Sequence, residues 1–171
     1  LTRGITSKNE IHKFPNAKVG IDAGLNDYAF LSNGVKYDNP RTLKKSEDNL
    51  AMVQRRLSKK KKGSNNRNYA RLKVSRLHEK ITNQRTEFLN QITHELASNY
   101  SMIGLEKLKI KNMLKNHKLA KHISDASWNT FARMLVYKAE NAGGQVVFVN
   151  PNGTSKKCSC CGYEKDMPLE I

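Results

Sequence analysis

The fold turns on Lys18-Val19-Gly20-Ile21-Asp22-Ala23-Gly24-Leu25. It reads as a short apolar strand with one carboxylate in its middle, followed by a glycine turn. A charge inside a buried strand is costly unless it is paired or holds a metal. Asp22 is therefore either a structural oddity, hydrogen-bonded to a turn, or a metal ligand in an active site. Short G-x-D-x-G runs recur by chance, so this stretch alone leaves both open.

Strand one covers Ala17 to Asp22, and Tyr28 to Leu31 reads as strand two. Ser32-Asn33-Gly34 precedes Val35-Lys36-Tyr37 as a hairpin signal with Asn-Gly at its tip. Three consecutive antiparallel strands are expected. After Asn39-Pro40, a helix is expected from about Arg41 to Lys60, with Leu43, Leu50, Val53 and Leu57 near one face. A polar break follows at Lys59 to Asn66. A longer helix runs from about Arg67 to Asn99, its apolar stripe formed by Val74, Leu77, Ile81, Phe88, Ile92, Leu96 and Asn99. The two helices form an antiparallel hairpin over about 41–99. Met102 to Leu105 is a fourth strand ending at Glu106, and Lys107 to Ile123 reads as a basic, irregular connector. Asp125 is expected to cap a helix reaching about Ala142, with Trp128, Phe131, Leu135 and Tyr137 as core contacts. Gly143-Gly144 ends that helix, and Gln145 to Val149 is strand five. Three strands, a helical hairpin, a strand, a helix and a strand predict an α/β fold: a mixed sheet with helices on its faces.

Glu106 gives Asp22 a candidate partner. If the first and fourth strands are neighbours, both carboxylates meet near one sheet edge. Two hard oxygen donors suit Mg²⁺ or Mn²⁺, and two such ions can clamp the attacking and leaving oxygens of a phosphodiester. The bland alternative makes Glu106 a solvated strand end.

The chain has 171 residues, with 31 Lys and Arg against 15 Asp and Glu, a net charge of +16. Such a charge repels itself unless a polyanion neutralises it. Between Arg41 and Arg85 there are fifteen cations and three acids, +12 in about a quarter of the chain. Solvated helices usually interleave both signs, so this imbalance points to a nucleic-acid backbone. Arg55, Arg56, Lys59, Lys60, Lys61, Lys62, Arg67, Arg71 and Arg76 are the candidate contacts. A membrane-surface helix would want apolar aromatics opposite the lysines, and only Phe88 lies on the long helix's stripe. No run approaches a membrane span and no signal peptide opens the chain. No membrane partner and no small-molecule substrate are expected.

All three cysteines fall between Cys158 and Cys161, which makes no disulfide framework. Cys158 and Cys161 form C-x-x-C followed by Gly162. They read as half of a zinc site, lacking a second pair for four ligands. A thiol redox pair is the alternative. His78, His94, His117 and His122 lack metal-ligand spacing and read as surface or phosphate-contacting residues.

Seven ordered motifs join these signals. They are Gly20-Ile21-Asp22-Ala23-Gly24-Leu25-Asn26-Asp27, Asn39-Pro40-Arg41, Gln54-Arg55-Arg56-Leu57-Ser58-Lys59-Lys60, Ile103-Gly104-Leu105-Glu106-Lys107-Leu108, Asn116-His117-Lys118-Leu119-Ala120-Lys121, Ser124-Asp125-Ala126-Ser127-Trp128 and Thr154-Ser155-Lys156-Lys157-Cys158-Ser159-Cys160-Cys161-Gly162. From about Lys18 onward the chain resembles the TnpB (OrfB) proteins of insertion sequences, a family similar to the type V CRISPR nucleases. The resemblance implies a RuvC-like nuclease domain of RNase H fold over 17–153, carrying the basic helical hairpin, with a zinc ribbon begun at 154–171. Residues 1–16 are then the remnant of an upstream domain or linker. It implies RNA-guided, Mg²⁺-dependent DNA cleavage with DNA and guide RNA as partners, in the cytoplasm or on the nucleoid. It matches Asp22 and Glu106 to the first two catalytic acids and Cys158 and Cys161 to the first zinc pair. The family's second C-x-x-C and its third catalytic Asp, in a D-R-D-like motif, are not in this sequence. Glu164, Asp166 and Glu170 sit in no such motif. Both ends are expected to be cut, and the chain is expected to bind nucleic acid but cleave poorly. A non-catalytic derivative that retains guide RNA or DNA is the alternative.

Overall fold

Strict alternation of apolar and polar residues builds the first strand. In the computed structural model, which describes residues 16–150, β1 (Lys18–Ala23) buries Val19 and Ile21 and leaves Lys18, Gly20 and Asp22 on the other, exposed face. This corrects the expectation of a charge inside a buried strand. The strand is buried on one face only, and Asp22 has the open parity. Its solvation needs no partner.

β2 (Asp27–Leu31) and β3 (Lys36–Asp38) continue the antiparallel meander. Gly34 turns the β2–β3 hairpin at φ +90°, where a side chain would be strained. Gly24 serves the β1–β2 turn differently: a Cβ there would lie 2.8 Å from the Asp27 carbonyl oxygen. Then come α1 (Thr42–Ser58) and α2 (Asn65–Asn99), β4 (Met102–Glu106), the short helices α3 (Ile110–Met113) and α4 (Ala120–Ala126), α5 (Trp128–Asn141) and β5 (Gln145–Val149). The sheet order is β3-β2-β1-β4-β5, with β4 parallel to both β1 and β5.

The core lies between one sheet face and the helices. Val19, Ile21, Leu31, Ile103 and Leu105 from the strands meet Leu89, Ile92 and Leu96 of α2 and Phe131 and Leu135 of α5. Tyr28 anchors the junction. Its ring packs edge-on against Phe88 and Phe131 at 4.9 and 5.5 Å, and its hydroxyl donates to the Ala126 carbonyl at 3.0 Å. Burial pushes the Tyr28 pKa up, so the phenol stays a donor. On the opposite face Phe30, Val147 and Val149 are exposed among the described residues.

Three expectations are corrected. The stretch Lys107 to Ile123 is not irregular, because Ile110, Met113 and Ile123 turn inward and nucleate α3 and α4. Tyr137 is 44% exposed and not a core contact. It stands two residues, about 200°, from buried Leu135 on α5. Asp125 does not cap α5. Ser127, at φ +53°, occupies the cap with no side-chain capping bond, its hydroxyl donating instead to the Ser124 carbonyl at 3.1 Å, and Asp125 is engaged elsewhere. Gly143 does end α5, with φ +82°.

Candidate active site and nucleic-acid interface

The parallel pairing of β1 and β4 decides the acidic site. Ile21 stands opposite Leu105, and the next residue on each strand is the acid. Asp22 and Glu106 therefore occupy neighbouring positions near the carboxyl ends of two adjacent parallel strands, with the parity of the open face. Both line one open concavity with Gly20, Phe30, Ser32, Gly104 and Val149. Burial, then the Asp22 charge, hold the Glu106 carboxyl above its ordinary pKa. Two like charges with hard oxygens in a shared hollow fit a divalent cation, which would relieve the repulsion that protonation otherwise relieves. Among the described residues no group of three or more His, Cys, Asp or Glu gathers as a metal site. Cys158 and Cys161 lie outside the described residues.

The basic hairpin forms as the sequence predicts, and its turn is well specified. Ser64 caps α2 by accepting from the Arg67 amide at 3.2 Å, and Gly63 takes φ +81°. Arg55, Arg56, Lys59, Lys60, Lys61, Lys62, Arg71 and Arg76 are all exposed, and none enters an ion pair among the described residues. Arg67 differs. It is half-buried and donates to the carbonyls of Leu57 and Lys60 at 3.1 and 3.0 Å, closing the end of α1. Its Nη1 is engaged by the fold.

A third cluster was not foreseen. The Asp125 carboxylate accepts from the Leu43 amide at 3.1 Å and the Thr42 hydroxyl at 3.2 Å, and pairs with Arg85 at 2.6 Å. One side chain on α4 thus caps the N-terminus of α1 and holds α2 beside it. Lys121 and Glu47 form a second link between α4 and α1. The foot of the hairpin is fastened to the connector that leaves Glu106, so the basic arm is mechanically tied to the acidic edge. Lys138 of α5 ties α2 from the other side, donating to the Asn90 backbone and side-chain carbonyls and to the Thr93 hydroxyl at 2.8, 3.2 and 3.0 Å. Burial lowers the Lys138 pKa.

A mixed α/β sheet with paired acids at its carboxyl edge and a long basic helical insertion defines the class. Among known proteins, the profile of the OrfB_IS605 family, described as "Probable transposase", matches residues 6–117. The chain belongs to this family, the OrfB or TnpB proteins. A second profile, "Cas12f1-like, TNB domain", matches residues 128–170, from α5 through the cysteine stretch. A Streptomyces pristinaespiralis protein named "Putative RNA-guided DNA endonuclease" is 40% identical over 91% of this chain. The Escherichia coli protein named "Putative RNA-guided DNA endonuclease InsQ" is 36% identical over 85% of it. The chain spans 39% and 40% of their respective lengths. The fold is also similar to two solved structures. One, "Cryo-EM structure of CRISPR-Cas12f Ternary Complex", has TM-score 0.59 at 18% identity, covering 90% of this chain and 32% of that one. The other, "Cryo-EM structure of the Cas12f1-sgRNA-target DNA complex", has TM-score 0.54 at 17% identity, covering 85% and 38%. No described helix is long and apolar enough to cross a membrane.

Proposed function

We propose that this chain carries two catalytic acids and the nucleic-acid grip of an RNA-guided DNA endonuclease, on a RuvC-type core of RNase H fold. The observation that carries the reading is the placement of Asp22 and Glu106 side by side on parallel β1 and β4. The names of the relatives and the Cas12f-like fold support the same reading. Asp22 and Glu106 would hold Mg²⁺ or Mn²⁺, which when bound supplies Lewis-acid activation of water and charge neutralisation at a phosphodiester. Rigid strands fix the two carboxylates, and the exposed cations of α1 and α2 hold the polyanion by its backbone. Base pairing with the guide would then read the sequence. A third acidic ligand would come from outside residues 16–150. Cys158 and Cys161 fit one half of a Zn²⁺ ligand set, and two thiolates alone do not complete it.

The test is Mn²⁺ binding to the 171-residue chain, read by paramagnetic broadening of NMR signals. Broadening centred on Asp22 and Glu106, and lost in Asp22→Ala, supports the site; unchanged spectra up to millimolar Mn²⁺ sink it. A second reading is nucleic-acid binding without cleavage, which the exposed cations of the hairpin support by themselves. Mg²⁺-dependent nicking of single-stranded DNA by this chain, abolished in Asp22→Ala, would exclude that second reading.

A further inference from the structure

The cations of the hairpin account for binding to a phosphate backbone, but not for the large apolar groups exposed among them. Tyr69 is 61% exposed and Leu72 53% exposed on α2. They stand with Lys73 and Arg76 at positions i, i+3, i+4 and i+7, which share one helical face. The inward face of this part of α2 is Ala70, Val74 and Leu77, all partly buried. Tyr69 and Leu72 therefore stand off that inward face, with more than half of each residue open. The Lys73 ammonium lies 4.6 Å from the centre of the Tyr69 ring, yet the residue remains mostly exposed. A flat ring with one ammonium near it, beside an apolar side chain and cations that enter no ion pair among the described residues, presents an open π-face and phosphate contacts within two helical turns.

We propose that the Tyr69–Leu72 face of α2 is a stacking platform for an unpaired base of a single DNA strand, with Lys73 and Arg76 meeting the flanking phosphates. Charge complementarity selects the occupant. A second copy of this chain would bring its own +12 segment against the same face, and an apolar protein groove would leave those cations unpaired. A single strand supplies both halves of the surface, since every base has a π-face and every linkage a charge. The inference rests on the proposed RNA-guided reading: pairing of a guide with one DNA strand leaves the other strand's bases open to stack. Duplex DNA offers no free base face along its length.

The experiment measures binding of the 171-residue chain to a 20-nucleotide single-stranded DNA, the same sequence as blunt duplex, and the same sequence as RNA. A 2-aminopurine in the single strand reports stacking by quenching. Tyr69→Ala is expected to weaken single-strand binding roughly 10-fold and abolish the quenching, while Tyr69→Phe keeps both and duplex affinity is unchanged. An exposed tyrosine is replaceable without loss of fold, and circular dichroism checks this. Equal affinity of Tyr69→Ala and the unsubstituted chain for the single strand overturns the platform, as does an equal loss on duplex. A Tyr69 dependence seen with RNA but not with DNA overturns the choice of occupant. If the unsubstituted chain binds no nucleic acid at all, the underlying functional reading fails instead, and the two failures are distinguishable.

Discussion

Burial and the Asp22 charge both favour the neutral form of Glu106, so its folded pKa lies above its unfolded value. Below the unfolded pKa both states carry the proton and nothing is lost. As pH rises from there through the folded pKa, stability falls, because the folded state gives up its proton less readily than the unfolded chain. Asp22→Asn should lower the Glu106 pKa toward the ordinary carboxylate range without reaching it, since burial is the larger cause; a carboxyl NMR titration checks this. If Glu106 is a Mg²⁺ ligand as proposed, the ion would compete with the same proton, and its affinity should rise with pH through the Glu106 titration, measured by calorimetry at several pH values. Asp125 tests a different property. Its side chain is 9% exposed and that of Arg85 23%. Asp125→Ala leaves a largely buried guanidinium without its counter-charge and α1 without its cap. It should cost about 3 kcal/mol in urea unfolding. Asp125→Asn keeps the shape and an acceptor and should cost less.

The helical hairpin separates residues that look alike in sequence. Arg67 and Arg71 are both cations near the start of α2, but only Arg67 donates to the carbonyls that end α1. Arg67→Met should lower the stability of the hairpin by about 1–2 kcal/mol, whereas Arg71→Met should leave the unfolding midpoint unchanged and weaken nucleic-acid binding. Thermal unfolding and an oligonucleotide titration on the same two variants resolve this. Local pattern made much of the architecture legible. Short apolar runs marked β1 and β4, Asn33-Gly34 marked the hairpin, and the polar break separated the two helices. The acidic pair was legible for the same reason, since each acid sits at a recognisable strand position and needed only parallel pairing to meet. What escaped depends on distant partners. Leu89, Thr93 and Ala97 are buried but lie off the expected stripe of α2. That helix leaves α1 for the sheet and α5, so its buried face widens. Asp125 looked like a cap for the helix beside it, while its true donors at Thr42 and Leu43 are 83 and 82 residues away. No window on the sequence contains both ends of such a bond.

The charge of the molecule is divided between two parts that, on the proposed reading, act on one polymer. The segment 41–85 holds +12 of the total +16, while the acidic pair sits at the carboxyl edge of the sheet. The connector from Glu106 back to the hairpin's foot adds six lysines between Lys107 and Lys121 with no acid among them. A phosphate chain drawn to the arm can therefore follow positive potential toward two carboxylates that would otherwise repel it. Affinity should then be dominated by counterion release, with log K falling linearly against log salt. Lys59 to Lys62 are exposed and outside every ion pair among the described residues, so converting all four to Gln removes only phosphate contacts. If each lysine neutralises one phosphate of a duplex, the slope should become shallower by roughly 3.6, and by about 2.8 on a single strand. The unfolding midpoint should not fall, because these lysines form no ion pairs among the described residues and repel one another in a chain of this charge. A slope unchanged by the four substitutions would place the polyanion on the connector lysines and leave the hairpin tip as a merely solvated turn.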